Sequence, residues 1–299
     1  MSTKKIPQQF KYIKSKSGNE KILVKILNLT DLEGPQEQLN SEYLIILHDY
    51  FDYHKYYIDF ATELIKQNNN LKVLLFDFKG LGRSSGDRGY IKKWNEYPLD
   101  VQNVIESFLP LGQQFHLLGA GLGGNVALDL MFQKEFLLEE RIKSLILINP
   151  LLKLKVDYPK WTKKIVRNFP SLLERARFPI RFNYHRFCTD YQHAQKVNAD
   201  ALIPHDISFR SVVELLETNN RLKSLSYFIK KPTFILLSEK GHICNNEYIK
   251  VYAKGIEKKY LQIIEYSNAY HDLIHDKKAG FVKEDILKWL KKYSSASSV

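Results

Sequence analysis

A chain of 299 residues that is 44% hydrophobic and 13% aromatic, with only 14 Gly and 10 Pro, can bury one large core, or one core with an inserted cap, and is too poor in Gly and Pro for a disordered or fibrous protein. Its formal net charge of +12 favours an acidic partner, but the lysines are scattered as on a solvated basic surface, and no DNA- or RNA-binding motif is present. No apolar run approaches the roughly 20 residues needed to span a bilayer, and Met1 to Lys16 lacks the apolar stretch of a secretory signal. The expectation is a soluble, cytoplasmic protein. The basic residues before Glu20 are all Lys, which fits a mitochondrial address less well. Cys188 and Cys244 match neither a disulfide framework nor a metal-site spacing, so two unpaired thiols and no cofactor are expected.

A polar basic leader (1–20) precedes the strand KILVKILN, Lys21 to Asn28. A turn-rich stretch around Gly34 and Pro35 leads to the buried strand EYLIILH, Glu42 to His48, expected beside the first. A helix over His54 to Gln67, the strand LKVLLFD (Leu71 to Asp77) and the glycine-punctuated loop KGLGRSSGDRG (Lys79 to Gly89) follow. Next come a helix near Pro98 to Phe108, the strand QFHLL (Gln114 to Leu118), the turn GAGLGG, a helix from Asn125 to Lys134 and the strand KSLILIN (Lys143 to Asn149). This alternation predicts an α/β protein with a mostly parallel, doubly wound sheet over 21–150. From Pro150 to about Lys230 the rhythm breaks into a basic, aromatic, mostly helix-like stretch without a clear buried strand, read as an inserted cap over 151–230. The core resumes over 231–293 with PTFILL (Pro232 to Leu237), a helix near Asn246 to Lys254, YLQIIEY (Tyr260 to Tyr266) and a closing helix Phe281 to Lys292, before a polar tail at 294–299.

A strand, a glycine turn and a helix in succession make the frame of a GxSxG elbow, where the serine takes a strained backbone and flanking glycines give it room. Here the turn reads Gly119, Ala120, Gly121, Leu122, Gly123, Gly124, and the serine position is Gly121.

Four segments carry a specific resemblance. HDYFDYHKYYIDFA, His48 to Ala61, is similar to the HGxGxHSGRYxxLA of the monoacylglycerol lipase and lysophospholipase family (serine aminopeptidase S33-like) of the α/β-hydrolase superfamily. FDFKGLGRSSGDRGYI (Phe76 to Ile91) resembles its DxxGHGxSxGxRxxV, LLGAGLGG (Leu117 to Gly124) stands where the family has LLGHSMGG, and YSNAYHDLIHD (Tyr266 to Asp276) resembles its GxxHxLxxE. The likeness runs from about Lys11 to Leu290 and is weakest across the cap. It implies an α/β-hydrolase fold with a helical cap. It also places the family's nucleophile on Gly121, its triad acid on Gly241, within LLSEKGHIC, and its triad base on His271.

Two of three triad positions are therefore glycine, and the oxyanion loop that begins HG in the family reads His48, Asp49, Tyr50. Without a serine hydroxyl there is no oxygen for His271 to deprotonate, and a carboxylate at Asp49 would repel the charge that must develop there. Glu239 is the candidate substitute acid. The alternative acid site after the sixth strand reads Asn149, Pro150, Leu151, with no carboxylate, while Ser84 and Ser85 are read as turn residues. His271 is expected to be a satisfied remnant. Asp77, Gly80, Gly82, Gly86, Arg88 and Asp100 are expected to shape the loop beside the elbow, with an anion site around Arg83 and Arg88 as the functional reading. The inert reading fails if a serine, cysteine or aspartate stands within reach of the imidazole beside free backbone amides.

The expected function is that of a non-catalytic hydrolase body in a structural or scaffolding role, with acidic protein surfaces as partners. Richness in Lys, Asn, Ile and Tyr suggests an AT-rich genome such as a protist's, where a cytoskeletal or ciliary assembly would suit a basic protein. The alternatives are a ligand-binding module that keeps an open acyl pocket beside Gly121, and an esterase with a displaced nucleophile. Tyr50, Tyr53, Tyr56 and Tyr57 either fill the former substrate entrance or form an aromatic contact surface. The cap residues Tyr158, Trp161, Arg181, Phe182, Tyr184, His185, Arg186 and Phe187 either pack as core and solvated face or meet a partner.

Overall fold

The computed structural model describes residues 6–28, 41–133, 138–155, 174–180 and 187–294. Its body is an eight-stranded sheet built from β1 (Gln8–Lys14), β2 (Lys21–Leu27), β3 (Glu42–Leu47), β4 (Leu71–Phe76), β5 (Phe115–Ala120), β6 (Ile142–Ile148), β9 (Thr233–Ser238) and β10 (Leu261–Tyr266). Their spatial order is β1-β2-β4-β3-β5-β6-β9-β10. The two β1 and β2 pairings are antiparallel and all later ones parallel.

β3, β4, β5 and β9 are buried along their whole length, as their near-continuous Ile, Leu and Val runs require of strands covered on both faces. One face packs α2 (Glu96–Phe108), α3 (Leu122–Leu130), the single-turn α4 (Leu138–Arg141) and α7 (Asn246–Ala253); the other packs α1 (Ile58–Gln67) and α8 (Ala279–Lys292). Along β3, Tyr43, Ile45 and Leu47 belong to the first layer, Leu44 and Ile46 to the second. This is the doubly wound arrangement the alternation predicts. No helix among the described residues is long and apolar enough to cross a membrane.

Two details differ from expectation. The leader contains β1, an exposed edge strand held by a seven-residue register against β2; its charge and exposure hide it from a search for buried runs. β2 and β3 share the sheet but are not adjacent, because β4 lies between them. The stretch 151–230, expected to lack a clear buried strand, carries exposed β7 (Arg177–Pro179) and mostly half-buried β8 (Asp206–Ser208), paired antiparallel, besides α5 (Tyr191–Ala199) and α6 (Phe209–Leu222). α6 is anchored on the body: Asn125 Nδ2 of α3 donates to Asn219 Oδ1 at 2.6 Å, and Arg221 pairs with buried Asp129 at 2.6 Å.

One core group makes stability depend on pH. His116 on β5 lies 2.7 Å from Ser144 Oγ on β6, and burial drives its imidazole from 6.5 down to about 4. Between those values it is neutral in the fold and charged in the unfolded chain. Its contribution therefore rises with pH across the window, by up to roughly 1.4 kcal/mol per pH unit, and is lost as pH falls through it. Asp100, which burial pushes up to about 6, has the opposite slope over the lower part of the range. The informative comparison is thus between the protein and His116→Leu. Urea midpoints measured from pH 4 to 7 should rise less steeply in the variant, and parallel curves would contradict the assignment.

Candidate functional site

β5 delivers the chain into the turn at Gly121, which adopts φ 48° and ψ −112° before α3 begins. That left-handed backbone strains any residue with a Cβ, and here it carries none. The helix then runs hard against the end of β3. Gly123 N–H donates to His48 O at 3.1 Å, and a Cβ on Gly123 would stand 2.2 Å from Leu47 O. The elbow is therefore built in full. Its tip is occupied by another residue's side chain: a Cβ on Gly121 would lie 1.8 Å from Asp49 Oδ1 and 2.0 Å from its Cγ.

Asp49 comes from the loop after β3 and is 3% exposed. Its Oδ1 accepts the backbone N–H groups of Leu122 and Tyr50, both at 2.7 Å, and its Oδ2 lies 2.9 Å from His271 Nε2. The amide after the elbow residue and an amide from the β3 loop are the pair that holds an oxyanion in this architecture. The side chain expected to repel charge there instead supplies it, as a fixed internal anion. The loop is braced in this pose, since Asp49 N–H donates to Asp52 Oδ1 at 2.8 Å and Tyr57 Oη donates to Asp52 Oδ2 at 2.7 Å.

The electrostatics follow from these contacts. Burial alone would lower the His271 imidazole, but the Cys244 sulfur, 3.8 Å from Nδ1, and the Asp49 carboxylate raise it to about 10. Burial alone would raise Asp49, yet its bonds to His271 and to the two amides hold it below the usual carboxylate range. The result is a buried imidazolium–carboxylate pair.

Gly241 lies beside Ser238, and a Cβ there would meet Ser238 Oγ at 2.5 Å. Glu239 is exposed and accepts Asn268 N–H at 2.7 Å, so the expected substitute acid is not a partner of His271. Cys244 takes the position facing Nδ1, its Sγ donating to Asn149 O at 3.1 Å. Asn149 in turn donates from Nδ2 to His271 O at 2.7 Å and accepts Ser238 N–H at 2.9 Å. Ser84 and Ser85 act on the backbone: Ser84 Oγ donates to Asp77 O at 2.6 Å, and Ser85 Oγ accepts Lys21 N–H at 2.6 Å. Asp77 accepts His54 N–H at 2.8 Å and Arg83 N–H at 2.7 Å, and Arg88 donates to Gly82 O, which together shape the loop beside the elbow. Thus an aspartate and a cysteine both stand within reach of the imidazole, but the adjoining amides are not free.

The four tyrosines are all buried and present no aromatic surface. Tyr50 Oη donates to Asp206 O at 2.7 Å, and Tyr53 and Tyr56 both donate to Asp200 Oδ2 at 2.9 Å, so they close the loop against the segment around residues 200–206. Among the described residues, the space left beside Gly121 is about 10 Å³, lined by Asp49, Tyr57, Phe187 and His271 among others. That is room for roughly one water molecule, against the several hundred Å³ of a ligand pocket. Phe187 is buried with its ring 5.4 Å from that of His271. The other aromatic and basic cap residues named above, Tyr158 to Arg186, lie outside the described residues.

The sequence shows the empty elbow but not Cys244, Asn149 and Asp52, whose roles depend on chain segments brought together by folding. The only linear signal was the acidic replacement of glycine after His48.

Comparison with known proteins shows the family and the fold. The profile of the family described as serine aminopeptidase, S33 matches residues 40–278. Phospholipase YtpA of Bacillus subtilis (strain 168) is 21% identical over 246 residues, covering 82% of this chain and 92% of that protein. A soluble variant of monoglyceride lipase from Saccharomyces cerevisiae, solved in complex with a substrate analogue, superposes with a TM-score of 0.77 at 18% identity, covering 98% of both chains. The monoacylglycerol lipase of Paleococcus ferrophilus gives 0.74 at 20% identity, over 84% of this chain and 95% of its own.

Proposed function

The chain belongs to the serine aminopeptidase S33 family of α/β-hydrolases, and from that premise we propose that it is a non-catalytic member whose folded body serves a structural, scaffolding role in a larger assembly. One observation carries this reading. The carboxylate of Asp49 fills the anion-binding amides of Leu122 and Tyr50 and pairs with His271, in front of an elbow residue with no side chain. Acyl transfer needs a nucleophilic atom, a base free to take its proton and a vacant donor pair for the tetrahedral oxyanion. Here the elbow offers no such atom, Cys244 Sγ lies on the Nδ1 side of His271 and donates to Asn149 O, and the other two are engaged with each other. The relatives' names give lipase and phospholipase activity to those proteins, and the family's reaction is not carried over to this chain.

The small space beside Gly121 speaks against a retained acyl pocket, and the buried tyrosines that bond to Asp200 and Asp206 support a cap closed over the body. The charge of +12 supports an acidic partner. Two measurements test the proposal. Purified protein should show neither fluorophosphonate labelling nor turnover of short- and long-chain esters; labelling abolished by His271→Ala would refute the inert site. Native extract at low salt should yield a stoichiometric acidic protein partner that dissociates as salt is raised, whereas a monomer with no stable partner would refute the scaffold.

A further inference from the structure

Next to the elbow, where Asp272 follows His271 and lines the same small space, three side chains from two segments converge. His193 lies on α5, Asp272 and His275 lie in the loop before α8, and one ligand-capable atom from each falls within 4.8 Å of the others. His193 Nε2 is 3.0 Å and His275 Nδ1 is 2.8 Å from the same oxygen, Asp272 Oδ2. The two imidazoles stack at 3.8 Å with planes 9° apart, and the Tyr56 ring stands edge-on to both, at 5.4 Å and 6.2 Å. The elbow does not use this cluster.

The proton positions are the telling point. His275 Nε2 lies 2.7 Å from Tyr56 O, an acceptor only, so Nε2 must carry hydrogen. A neutral His275 would then aim a bare lone pair from Nδ1 at the carboxylate. A cation must lie between them: a second proton on the ring, or a metal. A proton gives an imidazolium–carboxylate contact; a metal leaves both rings neutral, and the rings, now 9° from parallel, must turn for both in-plane lone pairs to meet one ion. The Tyr56 carbonyl also supplies the outer contact a metal-bound histidine requires, fixing the tautomer through its other ring nitrogen.

We propose that His193, Asp272 and His275 form a binding site for a divalent transition metal of the zinc class, which ties α5 of the cap to the loop bearing His271. Two imidazoles and one carboxylate are a donor set that Zn2+ accepts, with a fourth position for water. Bond lengths of about 2.0–2.2 Å set ligand–ligand separations near 3.3 Å, so the two N···O distances need to open by a few tenths of an ångström, and the two nitrogens, now within 4.8 Å of each other, need to reach the same separation. Both positions are braced for it. Asp190 caps α5 by accepting His193 N–H at 3.1 Å, and Asp272 N–H donates to Phe187 O at 2.9 Å. The side chains of His193 and His275 are 11% and 20% exposed, which leaves an ion a way in. The site stands whether or not the elbow is inert.

Chelator-treated protein titrated calorimetrically with ZnCl2 should show one saturable site, and CoCl2 should give the visible absorption of tetrahedral Co2+. His193→Gln, on a partly exposed helix face, should keep the fold by circular dichroism, weaken Zn2+ binding by at least roughly tenfold and abolish the Co2+ bands. Asp272→Asn should do the same, and His242→Gln should change neither signal. Absence of saturable binding to the unaltered protein would overturn the proposal, as would equal affinity in His193→Gln, which would locate the ion elsewhere.

Discussion

Gly121→Ser is expected to destabilise the protein by roughly 4 kcal/mol and to leave it unlabelled by fluorophosphonates. Two costs add. A residue with a Cβ at φ 48° and ψ −112° bears about 1–3 kcal/mol of backbone strain. The new Cβ also falls 1.8 Å from Asp49 Oδ1, and forcing atoms into a filled site typically costs about 1–3 kcal/mol more. In catalytic relatives of this architecture the first cost is borne for the sake of the nucleophile; here the second makes serine and Asp49 mutually exclusive. The two positions should therefore be coupled. In Gly121→Ser/Asp49→Gly the obstruction is gone and the amides of Leu122 and Tyr50 are released. The double variant should be more stable than the two single losses predict, by at least roughly 1 kcal/mol. It alone should label, slowly, because Cys244 and not a carboxylate faces His271 Nδ1. Urea midpoints at constant m-value measure the coupling. Strict additivity, or labelling of Gly121→Ser by itself, would mean that Asp49 does not hold the elbow shut.

Much of this was legible in the sequence because the fold is written in buried runs. EYLIIL, LKVLLF, FHLLGA and TFILLS are strands buried along their whole length, and no helix period fits them so well. The glycines of GAGLGG were legible for a steric reason: α3 lies so close to β3 that Gly123 has no room for a Cβ. Exposed β1 was missed because its pairing with β2, not its composition, makes it a strand. The site was half legible. The absence of a side chain at Gly121 is a fact of one position, while the capture of the amides by Asp49 involves residues 49, 50, 122 and 271, which only the folded sheet assembles. Glu239 was the nearer acid in sequence, yet its strand end points it to Asn268. The cluster of His193, Asp272 and His275 likewise spans cap and body, and no spacing announces it.

Asp49 itself should be the more discriminating position. Asp49→Ala is expected to cost roughly 3–5 kcal/mol, the range for removing one partner of a buried ion pair. It strips His271 of its carboxylate and leaves two buried amide donors without an acceptor. Asp49→Asn should cost distinctly less. Its Oδ1 can still accept from Leu122 and Tyr50, and its Nδ2 can donate to His271 Nε2 once that ring is neutral. The ordering Ala well below Asn belongs to a side chain that is working as an internal anion; a residue that merely tolerates its place would show the two substitutions within about 0.5 kcal/mol of each other and of the unaltered protein. The His271 ring signals in NMR separate the causes. They should report a charged imidazole at neutral pH in the unaltered protein and a neutral one in Asp49→Asn, because the counter-charge is lost while the burial that disfavours the cation remains.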